Sequence, residues 1–149
     1  MRAVVQRVTR AEVRVNGASV GKIGAGLCTL LGVGLDDGPG DAEAIAQKLA
    51  GLRIFSDDAG LMNHSIGEAG GAVLLISQFT LHGDVRRGRR PSFITAANED
   101  LARPLYELTG KLLEELGLPV AYGEFGASMQ VELTNDGPVT ILIDSKRTF

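Results

Sequence analysis

A single cysteine, Cys28, stands in a chain of 149 residues. One thiol removes any internal disulfide framework and any CxxC metal or redox motif, and a cytosolic home fits best. Its setting, GLCTLLGVG, is apolar and has no basic neighbour. A buried thiol of that kind is inert rather than nucleophilic. Histidine is almost as scarce, and His64 and His82 lie too far apart in sequence to show ligand spacing, so no metal is expected. There is no GxSxG elbow, no HExxH, no Walker A loop and no GxGxxG between a strand and a helix. The nearest imitation, GKIGAGL, has the wrong spacing and lies between strands, so its glycines are assigned to turns and bulges. The opening MRAVVQRVTR turns polar within a few residues, which predicts neither a signal peptide nor a membrane span. The formal charge of -3 argues against a protein that binds polyanions over its whole surface. It leaves local patches open.

What is present suffices for one domain, residues 1–149, with a substantial core, since 44% of the chain is apolar. Strand-like text fills the first third: VVQRV, then EVRVNGASVGKI with Asn16-Gly17 as a hairpin turn, then LCTLLGV. DAEAIAQKLAGLRIF places Ile45, Ala46, Leu49 and Leu52 at helical spacing, with Asp41 as N-cap or first-turn carboxylate. GAVLLISQF is a second buried strand that opens onto a polar segment from His82 to Arg90. Leucines 101, 105, 108, 112 and 116 mark a second helix closed by Gly117 and Pro119, although Pro104 and Gly110 interrupt its propensity. Two further strands, VEL and VTILID, flank TNDGPVT. This order predicts an α+β fold with two main helices and largely antiparallel sheets.

Three stretches carry possible chemistry. SQFTL, residues 77 to 81, sets Ser77, Gln78 and Thr80 at the end of a buried strand, where regular alternation would put Gln78 and Thr80 on one face and Ser77 and Phe79 on the other. Polar side chains at a strand end often do no more than meet water, and no base is adjacent to serve a hydroxyl nucleophile. Backbone N–H groups there can still stabilise an oxyanion. RRGRRPSF places Arg86, Arg87, Arg89 and Arg90 around a glycine and ahead of Phe93. Arginine forks suit phosphates and an aromatic neighbour stacks a base or sugar, although a solvated charge run has the same appearance. In TNDGPVT, Asp136-Gly137 alone would make a tight hairpin between VEL and VTILI, so Pro138 is surplus to the turn. An X-Pro bond is also the ordinary place for a cis peptide.

Taken in order, S-Q-F-T-L at 77 to 81, G-x-R-P-S-F at 88 to 93 and N-x-G-P-x-T at 135 to 140 resemble the D-aminoacyl-tRNA deacylase family, also called D-tyrosyl-tRNA deacylase. The resemblance extends from MRAVVQRVTRA through IGAGL, RIFSD and FGASM to VTILID. It implies a barrel-like core and a homodimer that needs no metal or cofactor. It also implies cleavage of the ester joining a D-amino acid, or glycine, to the 3′ end of tRNA. By the same resemblance the Gly137-Pro138 bond would be cis. Its loop would reach into the partner subunit's pocket and exclude L side chains, held in place by Arg7. Ala102, Phe125 and Met129 match pocket-lining positions, though by composition alone they read as core. Thr80 matches a residue once read as the nucleophile, while attack assisted by the substrate's own 2′-hydroxyl, with oxyanion donors near Gln78 and Phe79, suits the missing base better. Ser128 departs from an aspartate common in the family, and the tail DSKRTF runs past the usual family end. Two rivals remain: a relative with relaxed chirality and a noncatalytic module that binds the tRNA end.

Overall fold

The computed structural model describes residues 1–149. The first two expected strands are one: Arg2–Val15 is a continuous strand of 14 residues, β1. Ala3, Val5, Val8, Ala11 and Val13 are buried along it. The alternation slips near Arg7 and Thr9, where pairing with the last strand is also irregular. Asn16 and Gly17 both adopt positive φ, 49° and 80°, and turn the chain into β2, Ala18–Ile23. β3, Gly26–Gly32, returns antiparallel to the first half of β1.

Helix α1 spans Pro39–Gly51 and buries Ala42, Ile45, Ala46 and Leu49, so the helical text predicted to continue to residue 55 ends sooner. Asp41 serves as a first-turn carboxylate, its Oδ2 accepting the Gly38 N–H at 2.9 Å. The residues beyond form a small hairpin, β4 (Phe55–Ser56) with β5 (Met62–His64), that the sequence reading did not contain. β6, Ala72–Ser77, runs parallel to β3, and a single 3-10 turn, Phe79–His82, follows it. α2 spans Glu99–Glu115 and starts where the Asn98 side chain accepts the Leu101 N–H at 3.2 Å. Pro104 lies within it at an exposed position, and Gly117, at φ +84°, closes it. β7, Val120–Tyr122, pairs parallel to β6.

The last strand departs most from the expected pair of strands around a hairpin. Gln130–Asp144 is one strand, β8, and both VEL and VTILID pair antiparallel with β1, so the chain does not reverse at Asp136-Gly137. Val8 faces Asn135 and Gln6 faces Thr140, which leaves residues 136 to 139 as a bulge opposite Arg7 alone.

The main sheet has the order β2-β1-β3-β6-β7, with β8 on the other side of β1. Gly21 of β2 lies so close to the Tyr122 carbonyl of β7 that no Cβ could fit there, and the sheet nearly closes into a barrel. Val8, Val13, Ile23, Cys28, Leu74 and Ile76 fill one core. Burial pushes the Cys28 thiol up to about 11, as its apolar setting predicts. A larger core lies between the other sheet face and the two helices, and includes Ile45 and Leu49 of α1 and Leu105 and Leu113 of α2. No helix is long and apolar enough to cross a membrane.

Candidate active site

β6 stops at Ser77 because Gln78, at φ -147° and ψ 80°, turns the chain while its N–H donates to Leu31 O at 2.8 Å. The 3-10 turn begins at once, so the strand alternation assumed for residues 77 to 80 does not continue. The first bonded donor of the turn is Leu81, whose N–H reaches Gln78 O at 3.3 Å. The N–H groups of Phe79 and Thr80 precede it and, as first-turn donors, have no partner within the turn. Gln78 still meets Thr80, its Nε2 donating to Thr80 Oγ1 at 2.5 Å.

Ser77, Gln78 and Phe79 form one wall of a cavity of about 390 Å³. α2 contributes Glu99, Ala102 and Tyr106, the segment after β7 contributes Phe125 and Met129, and Leu31, Val33 and Ile76 add to the lining. Phe125 and Met129 are half-buried, so they face a space rather than a filled core. Tyr106 donates its hydroxyl to Leu75 O at 2.8 Å, and its ring lies 5.6 Å from Phe125. Burial pushes the Tyr106 phenol up to about 12, so it stays neutral. The Arg103 guanidinium sits 4.6 Å over the Phe125 ring and is anchored to Glu99, Nη2 to Oε1 2.5 Å. Glu99, Arg103 and Tyr106 were missed in the sequence. Their signal was the spacing 99, 102, 103 and 106, one helical face.

Thr80 is exposed and does not line the cavity. His82, the last residue of the turn, is buried away from the lining, with Nε2 lacking a partner. Its pKa is lowered first by burial, which disfavours the imidazolium. No His, Cys, Asp and Glu group is arranged to hold a metal ion. A larger open groove of about 690 Å³ runs between α1 and the end of β8, and it contains none of the candidate catalytic, pocket or arginine-loop residues.

Arg7, Gly137 and Pro138 form a second group. The Gly137-Pro138 peptide is cis, and both residues are exposed. Arg7 is not a free surface arginine. Its Nε donates to Asp136 O at 2.9 Å and its Nη1 to Ile54 O at 2.6 Å, with 11% of the side chain exposed. Asn135 closes the bulge from within, its Oδ1 accepting the Val139 N–H at 2.7 Å and its Nδ2 donating to Val139 O at 3.1 Å. Neither Gly137 nor Pro138 lines the cavity of its own chain.

A third group follows the turn. Asp84 and Ser92 exchange backbone hydrogen bonds of 2.8 and 2.9 Å, pinning the base of the loop that carries the arginines. Arg86 forks onto Asp84, Nε to Oδ1 2.9 Å and Nη2 to Oδ2 2.6 Å. That guanidinium holds the Asp84 carboxyl down at about 2. Arg87, Arg89 and Arg90 are exposed and carry no ion pair. Phe93 places its ring at 71° to that of Phe79, centroids 5.1 Å apart.

The chain resembles known proteins over nearly its whole length. Residues 4–144 match the family model described as D-Tyr-tRNA(Tyr) deacylase. A D-aminoacyl-tRNA deacylase of Anaeromyxobacter dehalogenans is 61% identical over 149 residues, covering 100% of both chains. That of Symbiobacterium thermophilum is 59% identical and covers 100% of this chain and 99% of its own. Among solved structures, one titled c-Myc DNA Unwinding Element Binding Protein superimposes with a TM-score of 0.91 at 40% identity, covering 97% of this chain and 98% of that one. A second, titled as a probable eukaryotic D-amino acid tRNA deacylase, gives a TM-score of 0.79 at 18% identity over 95% of this chain and 97% of that one, a likeness of fold. The chain belongs to the D-Tyr-tRNA(Tyr) deacylase family.

Proposed function

We propose that this protein hydrolyses the ester bond between a D-amino acid and the 3′-terminal adenosine of tRNA. It thereby releases free tRNA and proofreads chirality in translation. The observation that carries the reading is the meeting of an apolar, aromatic-walled cavity with Phe79, whose N–H is a first-turn donor without a partner in its own turn. The cavity holds the terminal nucleoside, and the Phe79 N–H stabilises the oxyanion formed as water attacks the ester carbonyl. The Gln78 N–H is spent on Leu31 and is not a donor to substrate. The one carboxylate on the lining, Glu99, is paired with Arg103, so the proton lost by water passes through the substrate's 2′-hydroxyl to the departing 3′-oxygen. Thr80 is a bystander in this scheme, tied to Gln78.

The Gly137-Pro138 bulge is exposed and does not reach its own cavity, which fits a role in the cavity of a second copy. In such a homodimer its backbone carbonyls crowd the position of an L side chain and reject it by clash and unpaired polarity. Glycine has no side chain to reject, so glycyl-tRNA is also cleaved. Arg87, Arg89 and Arg90 meet backbone phosphates, while Arg86 braces the loop through Asp84.

The test is the decay of D-tyrosyl-tRNA and L-tyrosyl-tRNA with trace protein, each against spontaneous hydrolysis. Fast loss of the D ester alone is expected. Loss of both identifies a relaxed-chirality enzyme. Binding without loss of either identifies a nucleic-acid-end module, a reading to which the DNA-binding title of one structural neighbour also points. A tRNA ending in 2′-deoxyadenosine is expected to resist cleavage, and its rapid hydrolysis would rule out assistance by the 2′-hydroxyl.

A further inference from the structure

Phe79 is in an unusual position for a phenylalanine. It forms part of the cavity wall, yet 57% of the residue is exposed, so its ring borders both the cavity and solvent. The ring is held upright by the edge of Phe93, 5.1 Å away, and residue 93 directly follows the Asp84-Ser92 bridge at the base of the arginine loop. Val85 and Ile94 flank that base with 62% and 80% exposure. An apolar strip therefore leads out of the cavity and ends at three unpaired arginines.

We propose that Phe79 is a stacking platform for the base that precedes the terminal adenosine, so that the enzyme grips two nucleotides rather than one. This rests on the deacylase reading above. Charge selects the occupant. The chain as a whole is acidic at -3, whereas the end of this strip concentrates Arg87, Arg89 and Arg90, which suits a single-stranded nucleotide chain with one phosphate per step. An aromatic face accepts any base, and the edge contact from Phe93 holds the ring in place before the substrate arrives. Phe79 stands where such a strand would leave the cavity toward the arginines, since its ring lines the cavity and packs on Phe93 at the base of the loop.

The test combines two readouts on Phe79→Leu and Phe79→Tyr, neither of which alters the backbone N–H. The first is quenching of 2-aminopurine at the penultimate position of a short RNA ending in adenosine. The second is KM and kcat for D-tyrosyl-tRNA against D-tyrosyl-adenosine, which lacks the preceding nucleotide. The wild type is expected to quench, and Phe79→Leu to lose most of the quench. Its KM for the tRNA should rise about fivefold or more, with a clearly smaller rise for the adenosine ester, and Phe79→Tyr should recover both. Equal KM changes on the two substrates, or an unchanged quench in Phe79→Leu, would overturn the platform while leaving the deacylase reading intact. A wild-type protein that cleaves neither D ester would overturn both together.

Discussion

Arg7 was legible in the sequence only as part of a motif, because its partners, Asp136 and Ile54, are distant in the chain and nothing in QRV announces its burial. In the fold it ties the bulge to the carbonyl ahead of β4. Arg7→Ala removes two charge-assisted hydrogen bonds, costing about 1 to 3 kcal/mol at a half-buried site. We expect the fold to survive with a lower Tm, and D-tyrosyl-tRNA hydrolysis to fall about tenfold or more, with weaker discrimination against the L ester. Arg7→Lys should recover only part of this, since one ammonium does not reproduce the fork. Thr80→Ala, in contrast, is expected to keep activity within a few-fold, because the hydroxyl is outside the cavity and bonded only to an amide. A thousandfold loss would restore it as a nucleophile. Phe125 and Met129 looked like core in the sequence, since composition does not distinguish a residue that fills space from one that lines it.

The helices α1 and α2 were readable because their apolar positions repeat over several turns, and β3 and β6 because each is a continuous apolar run. The β4–β5 hairpin and β7 were not, since strands of two or three residues carry no period. Gly110 counted against α2 by propensity, yet a Cβ there would lie 2.5 Å from the Tyr122 ring. Gly110→Ala should therefore lower Tm despite the better helix former, by displacing Tyr122 from its bond to Glu114. At the start of α1, burial raises the Asp41 pKa, but the Ser145 hydroxyl, the Gly38 N–H and Lys146 outweigh it and leave the carboxyl at about 2. A carboxyl depressed in the folded state contributes stability above its unfolded value near 4 and loses it as pH falls toward 2. Denaturant titrations of Asp41→Asn at pH 7 should show a loss, and the difference from wild type should shrink across that interval.

At the scale of the molecule, the acidic net charge hid a local cationic loop, and only its geometry shows that Arg86 is already paired with Asp84. Affinity for a tRNA end should fall as salt rises, and Arg87→Ala or Arg89→Ala should each flatten the slope of log affinity against log salt by about 0.7. A slope unchanged in both would remove the loop from binding. The barrel was only half visible. The predicted antiparallel pairs of β1 are present, but the parallel run β3-β6-β7 depends on helical crossovers whose destination no local pattern records. The hairpin expected at Asp136-Gly137 failed for the same reason, since two strand-like runs around a turn signal do not reveal that both pair with one neighbour.

That bulge also makes a length insulator. Pairing resumes on both sides of residues 136 to 139, at Asn135 with Val8 and at Thr140 with Gln6. Residues added or removed between those anchors would change how far the tip projects without moving a single rung of the barrel. A change of chain length at this point would therefore reshape the tip while the scaffold stays constant.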